Sequence, residues 1–275
     1  MKEYGRESVR NIALVAPHGA GKTSLAEALL YLHGATEKLG KIDDGSSVLD
    51  YESEEKHRRM SINSHVAFFE TKTHLVNLID TPGFLNFLYE ADCAIKVVDG
   101  AVIVVGAVGG DVSVQVGKYW DMTGNLPKII FINKLEKENT SLEATLGSIS
   151  KDLKVKLLPL ILPIGQQHDF KGVIDVIEMK AYRYGGGAGF EEIPIPAEME
   201  EAARSQREKI IESVAELDDE LLEKYLEGEA IDEGRIIRML HEGILEAKIF
   251  PVLIGSATHM IGINVLSDAI AKYLP

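Results

Sequence analysis

The segment of the sequence with the clearest chemistry is a short glycine-bearing turn between an apolar run, 12–15, and a helical pattern. In such a turn, backbone N–H groups point inward, the helix N-terminus adds partial positive charge, and a lysine reaches the outer phosphates. The usual pattern begins with glycine, whereas this one begins with Ala16. The spacing predicts a phosphate-binding loop. Its expected nucleotide-binding residues are Pro17, His18, Gly19, Ala20, Gly21, Lys22, Thr23 and Ser24.

A second candidate element is the turn Asp80-Thr81-Pro82-Gly83, which follows the predicted strand 74–79. A carboxylate at the end of a strand can hold the water shell of Mg²⁺, and a glycine N–H can contact a γ-phosphate. Asp80 and Gly83 are therefore further candidates for the nucleotide site.

Two later elements could recognise a base. Asn133-Lys134-Leu135-Glu136 ends the predicted strand 128–133, and Gly255-Ser256-Ala257 follows the predicted strand 250–254. Asn133 can bond a purine, the stem of Lys134 can cover its ring, and the Glu136 carboxylate can accept from the guanine ring N–H and exocyclic amine. Backbone N–H groups of 255–257 could bond guanine O6. Because parallel sheets bind ligands beyond the carboxyl ends of their strands, these elements should meet at one edge.

Alternating strands and helices from 11 to 160 indicate an α/β fold. We predict a mostly parallel six-stranded sheet with helices on both faces. The second and third strands are expected to form an antiparallel hairpin at its edge. The predicted strands are 12–16, 65–70, 74–79, 101–107, 128–133 and 250–254, and the helices between them are 22–33, 85–98, 112–123 and 142–153.

The alternation stops in the middle of the chain, which predicts an inserted α+β subdomain over 164–246 between the two parts of the main domain, 1–163 and 247–275. Two short strands, 171–176 and 178–184, should precede an acidic helical region. Within 199–226, apolar residues recur at three- to four-residue steps, which is typical of an amphipathic helix pair.

Composition excludes several classes of protein. The 275-residue chain has a formal net charge of −14, which argues against the broad basic surface that free nucleic acid requires, so no DNA partner is expected. No apolar run is long enough to cross a membrane, and the N-terminus lacks a signal-peptide pattern. The single cysteine, Cys93, fits a reducing cytoplasm. No pair of histidines shows metal-ligand spacing, so no zinc site is expected from them.

These motifs together resemble the GTPase domain of translation elongation factor G, over essentially the whole chain. The switch I segments 37–51 and 60–64, the switch II turn, and the segments 170–175 and 223–226 of the insert carry the likeness. The resemblance implies a P-loop NTPase G domain that binds GTP or GDP with Mg²⁺. It also implies that the chain is the N-terminal fragment of a longer multidomain protein.

The resemblance implies a role for each matched residue. Lys22 would bind the β- and γ-phosphates, and the Gly83 N–H would contact the γ-phosphate. Thr23, Ser61 and Asp80 would hold Mg²⁺, with Ser61 standing where the family has threonine. Guanine would be recognised by Asn133, Lys134, Glu136, Ser256 and Ala257. The expected partners are the GTPase centre of the large ribosomal subunit and, for the acidic insert, the ribosomal stalk protein. A monomer is expected.

Phe84 departs from the family in a way that bears on catalysis. It stands where switch II usually carries a histidine that positions the attacking water, and its side chain has no hydrogen-bonding atom. The chain is most similar to a divergent elongation factor G-like group with an aromatic residue at this position. Two interpretations stay open: a slow or strongly partner-dependent GTPase, or a GTP-binding regulatory module that does not hydrolyse.

Glu136 is the second departure, because the family has aspartate there. The additional methylene moves the carboxylate about 1.5 Å further out. Either a small loop shift preserves guanine selection, or base selection is relaxed. Glu136 also suggests a third class of protein, a metabolic P-loop ATPase. The segment Gly255-Ser256-Ala257 argues against that class.

Two further positions differ from the family. Gly19 and Asn86 stand where the family usually has aspartates.

Overall fold

The computed structural model describes residues 2–107, 114–227 and 231–275, and its strands form two separate sheets. The strands are β1 (Val9–Val15), β2 (His65–Glu70), β3 (Leu75–Asp80), β4 (Gly100–Gly106), β5 (Lys128–Asn133), β6 (Leu157–Pro159), β7 (Ile161–Ile164), β8 (Gly172–Asp175), β9 (Lys180–Tyr184), β10 (Phe190–Ile193) and β11 (Phe250–Ile254).

The α-helices of the described residues surround these strands. They are α1 (Lys22–Leu32), α2 (Ser53–Arg58), α3 (Leu88–Ile95), α4 (Val114–Thr123), α5 (Leu142–Leu153), α6 (Glu200–Ala215), α7 (Asp219–Leu226), α8 (Glu233–Leu245) and α9 (Ile263–Tyr273). The first two residues of the predicted helix 112–123 lie outside the described residues. None of the described helices is both long and apolar enough to cross a membrane.

The large sheet has the strand order β2-β3-β1-β4-β5-β11-β6 and is parallel except for β2, which forms the predicted hairpin with β3. Every residue of β5 is buried, which requires cover on both faces of the sheet. The α/β class and the mostly parallel sheet are therefore confirmed.

Within the described residues the large sheet has seven strands, so the predicted count of six is wrong. The additional strand, β6, pairs with β11 at the edge. It has only three residues, so it is too short to show the alternation of apolar and polar residues that marks a strand. It also ends on Pro159, a residue that ordinarily disfavours strands.

The second sheet is antiparallel, with the order β10-β9-β8-β7. Its strands β8 and β9 match the two predicted in the insert, and the helix pair α6 and α7 follows. The sheet begins at Ile161, three residues before the boundary expected from the sequence. It rests on α9, where the Tyr184 hydroxyl donates to Asn264 Oδ1 at 2.5 Å. The insert is thus packed against the helix that follows the last strand of the main sheet.

Candidate nucleotide-binding site

One cleft of about 390 Å³ brings together residues from the ends of β1, β3, β5 and β11, although they are far apart in the sequence. This volume is within the range of small-molecule sites. Of the residues expected from the sequence, the following line the cleft: His18, Gly19, Gly21, Lys22, Thr23, Ser24, Ser61, Gly83, Asn133, Lys134, Glu136 and Ala257.

The phosphate-binding loop turns through two glycines in the left-handed region, Gly19 (φ 81°) and Gly21 (φ 93°). Helix α1 begins directly afterwards, at Lys22. Pro17 and Ala20 are buried and belong to the support of the loop: the Ala20 N–H donates to the Pro17 carbonyl at 3.3 Å. The loop and helix therefore have the geometry that exposes backbone N–H groups to an anion.

Gly21 has no room for a side chain unless Asn133 moves, because a Cβ there would collide with the Nδ2 of Asn133. Replacing Gly21 with alanine is therefore expected to lower the free energy of unfolding by at least about 1–2 kcal/mol from backbone strain, and to weaken GTP binding by displacing Asn133. Denaturant unfolding and nucleotide titration measure the two effects.

Gly34 offers a matched control, because it has φ 68° but nothing within 4 Å of its built Cβ. Gly34→Ala should lower the free energy of unfolding through backbone strain alone, without a steric collision. Equal losses of stability in both variants, with GTP affinity unchanged in Gly21→Ala, would contradict this account of the loop.

Lys22 and Gly83 meet at the head of the cleft. Lys22 is buried, and burial lowers the pKa of its ammonium, while the carboxylates of Asp80 and Asp50 raise it. A Cβ on Gly83 would lie 2.7 Å from Lys22 Nζ and 2.7 Å from the His18 backbone nitrogen. The His18 N–H donates to the Gly83 carbonyl at 2.9 Å. The glycine thus permits switch II to approach the phosphate loop closely.

Three oxygen-bearing side chains converge beside Lys22. The Thr23 hydroxyl donates to Asp80 Oδ2 at 2.6 Å and lies 3.0 Å from the Ser61 hydroxyl. Asp80 is fully buried, and its Oδ1 has no hydrogen-bond partner among the described residues. Burial raises the pKa of Asp80 to about 7, against the opposing effects of Lys22 and the Thr23 hydroxyl. An all-oxygen set with an unpartnered buried carboxylate oxygen fits a hard cation such as Mg²⁺.

Asn133 and Lys134 tie the end of β5 to the phosphate loop. Asn133 Nδ2 donates to the Ala20 carbonyl at 3.0 Å, and its Oδ1 accepts from the Ala257 N–H at 3.0 Å. Lys134 Nζ donates to the Gly19 carbonyl at 2.5 Å. The lysine stem therefore spans the cleft between the two segments, as expected for a side chain that covers one face of a base. Asn133 braces the loops as well as lining the cleft.

Glu136 presents an acceptor without a partner. The residue is 5% exposed, its Oε1 accepts from the Thr258 hydroxyl at 3.2 Å, and its Oε2 is buried with no hydrogen-bond partner in the described part of the chain. An unpaired carboxylate oxygen in a cleft favours a ligand with N–H donors. Thr258 also lines the cleft and was not expected from the sequence; only its position after Ala257 could have suggested it.

Gly255 and Ser256 do not line the cleft. The Gly255 N–H donates to the Ile132 carbonyl and the Ser256 N–H to the Ile261 carbonyl, so both are engaged within the protein. The Ala257 N–H reaches Asn133 instead of open space. In this structure the three expected donors to guanine O6 therefore support the loop.

Phe84 also lies outside the lining of the cleft, and its ring stacks on His18 with centroids 3.9 Å apart and planes at 29°. Burial lowers the pKa of the His18 imidazole, and the charges of Lys22 and Lys134 lower it further. The aromatic residue at the usual histidine position thus packs on a neutral imidazole from the phosphate loop.

Switch I is held over the cleft by Glu27, a residue that the sequence did not single out. Glu27 is fully buried in α1, and its Oε1 accepts from the Ser47 hydroxyl at 2.6 Å, the Val48 N–H at 2.7 Å and the Leu49 N–H at 3.2 Å. The neighbouring segments 39–43 and 59–61 line the cleft. One buried carboxylate therefore fixes the course of the segment that closes the site.

Comparison with known proteins agrees with this geometry. The model of the elongation factor Tu GTP binding domain family matches residues 7–275. The chain is also similar to a protein from Thermus thermophilus of known crystal structure, with a TM-score of 0.91 and 34% sequence identity. That match covers 98% of this chain and 40% of the other, so the chain spans about two fifths of the length of that relative.

Proposed function

We propose that this chain, which belongs to the elongation factor Tu GTP binding domain family, is the GTPase domain of an elongation factor G-like translation factor. Family membership places it among the translational GTPases that bind GTP and GDP. The observation that carries the finer proposal is the shared cleft lined by the phosphate loop, Thr23, Ser61 and Glu136, with the buried Asp80 hydrogen-bonded directly behind Thr23.

Each residue of the cleft has a task in this proposal. The Lys22 ammonium and the N–H groups at the start of α1 bind the β- and γ-phosphates, and the Gly83 N–H contacts the γ-phosphate. Thr23 and Ser61 would ligate Mg²⁺ directly and Asp80 through water; the ion would neutralise charge on the phosphate oxygens. Lys134 covers the base, and Glu136 accepts from the guanine N–H groups, with Asn133 holding both loops in place.

Hydrolysis is proposed to be slow or strongly dependent on a partner. Phe84 offers no atom to orient water, and its ring is packed on His18. A second candidate function, a GTP-binding regulatory module that does not hydrolyse, rests on the same residue. In both cases the domain acts as a nucleotide switch, since switch I is positioned by contacts that a bound nucleotide can strengthen.

The proposed partner is the ribosome, through the GTPase centre of its large subunit. The acidic insert, which includes the helices α6, α7 and α8, is the surface proposed to face the ribosomal stalk protein, in a monomeric cytoplasmic factor. Sedimentation with ribosomes tests this: we expect retention with a non-hydrolysable GTP analogue and little with GDP. Retention that is independent of nucleotide would contradict a GTP-dependent switch.

Phe84→His tests whether Phe84 limits hydrolysis, on which both candidate functions rest. Restoring an imidazole where water must be oriented is expected to raise ribosome-stimulated phosphate release by at least about tenfold, since a positioned base contributes about 10²–10⁴-fold. Phe84→Leu, which keeps the position apolar, is the control and should stay slow. A wild-type rate already equal to that of Phe84→His would show that Phe84 is not a brake.

A further inference from the structure

A buried group of three potential metal ligands lies behind switch I, outside the nucleotide cleft. Asp50, Glu55 and His65 each offer one ligand atom, and these atoms lie within 4.8 Å of one another. The three residues are 3%, 0% and 3% exposed. They come from the segment before α2, from α2 itself and from the first residue of β2, so the group joins switch I to the edge of the large sheet.

Three polar atoms of this group lack hydrogen-bond partners among the described residues. His65 Nε2 lies 3.2 Å from Glu55 Oε2, but the approach does not have hydrogen-bond geometry. Both ring nitrogens of His65 and the Oδ2 of Asp50 are buried with no hydrogen-bond partner among the described residues. Leaving such atoms unpaired in an interior is costly, and an ion is one of the few explanations that a native structure offers.

The rest of each side chain is already oriented. Glu55 Oε1 accepts from the Ile62 N–H at 2.8 Å and the Asn63 N–H at 3.1 Å, while Oε2 accepts from the Glu52 N–H at 3.4 Å and lies beside His65. Asp50 Oδ1 accepts from the Ser61 hydroxyl at 2.7 Å, which leaves Oδ2 free. The ring of Tyr51 packs edge-on against His65, with centroids 4.8 Å apart. These contacts resemble the outer shell that fixes ligands at a metal site.

Charge also favours a cation here. Two carboxylates are buried together, and the nearby carboxylate of Glu27 adds to the negative potential at Asp50.

The spacing of the ligand atoms also fits Zn²⁺. A tetrahedral Zn²⁺ with bonds of about 2.0–2.1 Å places two of its ligand atoms about 3.3 Å apart, and His65 Nε2 lies 3.2 Å from Glu55 Oε2. Since all three ligand atoms lie within 4.8 Å of one another, reaching that spacing needs shifts of no more than about 1.5 Å.

We propose that Asp50, Glu55 and His65 form a binding site for a divalent transition-metal ion of the Zn²⁺ type that fastens switch I to β2. An imidazole with two carboxylates suits Zn²⁺ or Co²⁺, whereas Mg²⁺ prefers oxygen ligands alone. The site is separate from the Mg²⁺ position proposed above, because Ser61 stands between Asp50 and Thr23. The spacing of histidines in the sequence did not predict this metal site, because the site contains only one histidine.

Titration of the metal-free chain with Co²⁺ and Zn²⁺, in millimolar Mg²⁺ and without nucleotide, tests the site. We expect visible Co²⁺ absorption bands that Zn²⁺ abolishes, and Zn²⁺ binding at micromolar or tighter concentrations. His65→Ala and Glu55→Gln should weaken binding by at least about 100-fold, because each removes a direct ligand. His57→Ala, an exposed histidine of α2, is the matched control and should bind as the wild type does.

Two further measurements test the site without relying on the folding of the ligand variants or on the nucleotide site. X-ray absorption of the Zn²⁺-loaded wild type should show nitrogen and oxygen ligands with one imidazole and no sulfur from the exposed Cys93. Thr23→Val should retain the Co²⁺ bands. The proposal is overturned if the wild type binds neither ion at micromolar concentration, if His65→Ala binds normally, or if Thr23→Val abolishes the bands. None of these outcomes depends on GTP binding.

Discussion

Lys22→Met is expected to weaken the binding of GTP by about 10²–10³-fold, because a buried ammonium at the head of the cleft forms charge-assisted contacts to phosphate oxygens. That loss corresponds to about 3–4 kcal/mol of binding free energy. Methionine keeps the length and apolar character of the lysine stem, so the packing around α1 should persist. Isothermal titration of wild type and variant with GTP measures the effect.

Lys41 provides the control for this prediction. It lines the same cleft but is exposed, so its charge is screened by solvent. Lys41→Met should change GTP affinity by no more than about threefold, since exposed ion pairs contribute about 0–1 kcal/mol. If both variants lost affinity equally, general electrostatic attraction rather than the phosphate loop would account for binding.

Glu27→Ala is the second change with a large expected effect. It deprives the Ser47 hydroxyl and two backbone N–H groups of their shared acceptor, in a part of switch I that is largely buried. The Leu49 N–H keeps a second acceptor in the Ser47 hydroxyl at 3.2 Å, and Val48 is half exposed. At about 1–3 kcal/mol for each unsatisfied buried donor, the free energy of unfolding should therefore fall by about 2–4 kcal/mol. Hydrogen exchange of the Val48 and Leu49 amides should become markedly faster.

Glu37→Ala is the comparison for this second prediction, because Glu37 is an exposed glutamate at the start of switch I. It should change unfolding by less than about 0.5 kcal/mol. Unchanged amide exchange at Val48 and Leu49 in Glu27→Ala would mean that switch I is held by other contacts.

Local sequence predicted the parts of the site whose chemistry is carried by consecutive residues. The phosphate loop is one turn and one helix start, so residue types from Gly19 to Thr23 indicate both its conformation and its ligand. The convergence of Asp80, Asn133 and Glu136 followed from a general property of parallel sheets, namely that strand ends share an edge.

What the sequence did not predict depends on contacts between distant segments. Glu27 contacts Ser47 across twenty residues, and nothing in the helical pattern of α1 distinguishes it from a surface glutamate. The backbone donors of Gly255 and Ser256 were assigned to a base, yet the Gly255 N–H donates to the Ile132 carbonyl and the Ser256 N–H to the Ile261 carbonyl. The grouping of Asp50, Glu55 and His65 likewise arises only when α2 packs against β2.

Guanine recognition by Glu136 in the cleft is the central feature of the proposed function. Calorimetric titration of the wild-type chain with GTP, GDP, xanthosine triphosphate and ATP, each with Mg²⁺, tests it. We expect GTP and GDP to bind and the other two to bind at least about 100-fold more weakly, because they fail to match the unpartnered Glu136 oxygen. Xanthosine triphosphate or ATP binding as tightly as GTP, or no binding of any nucleotide, would contradict the account.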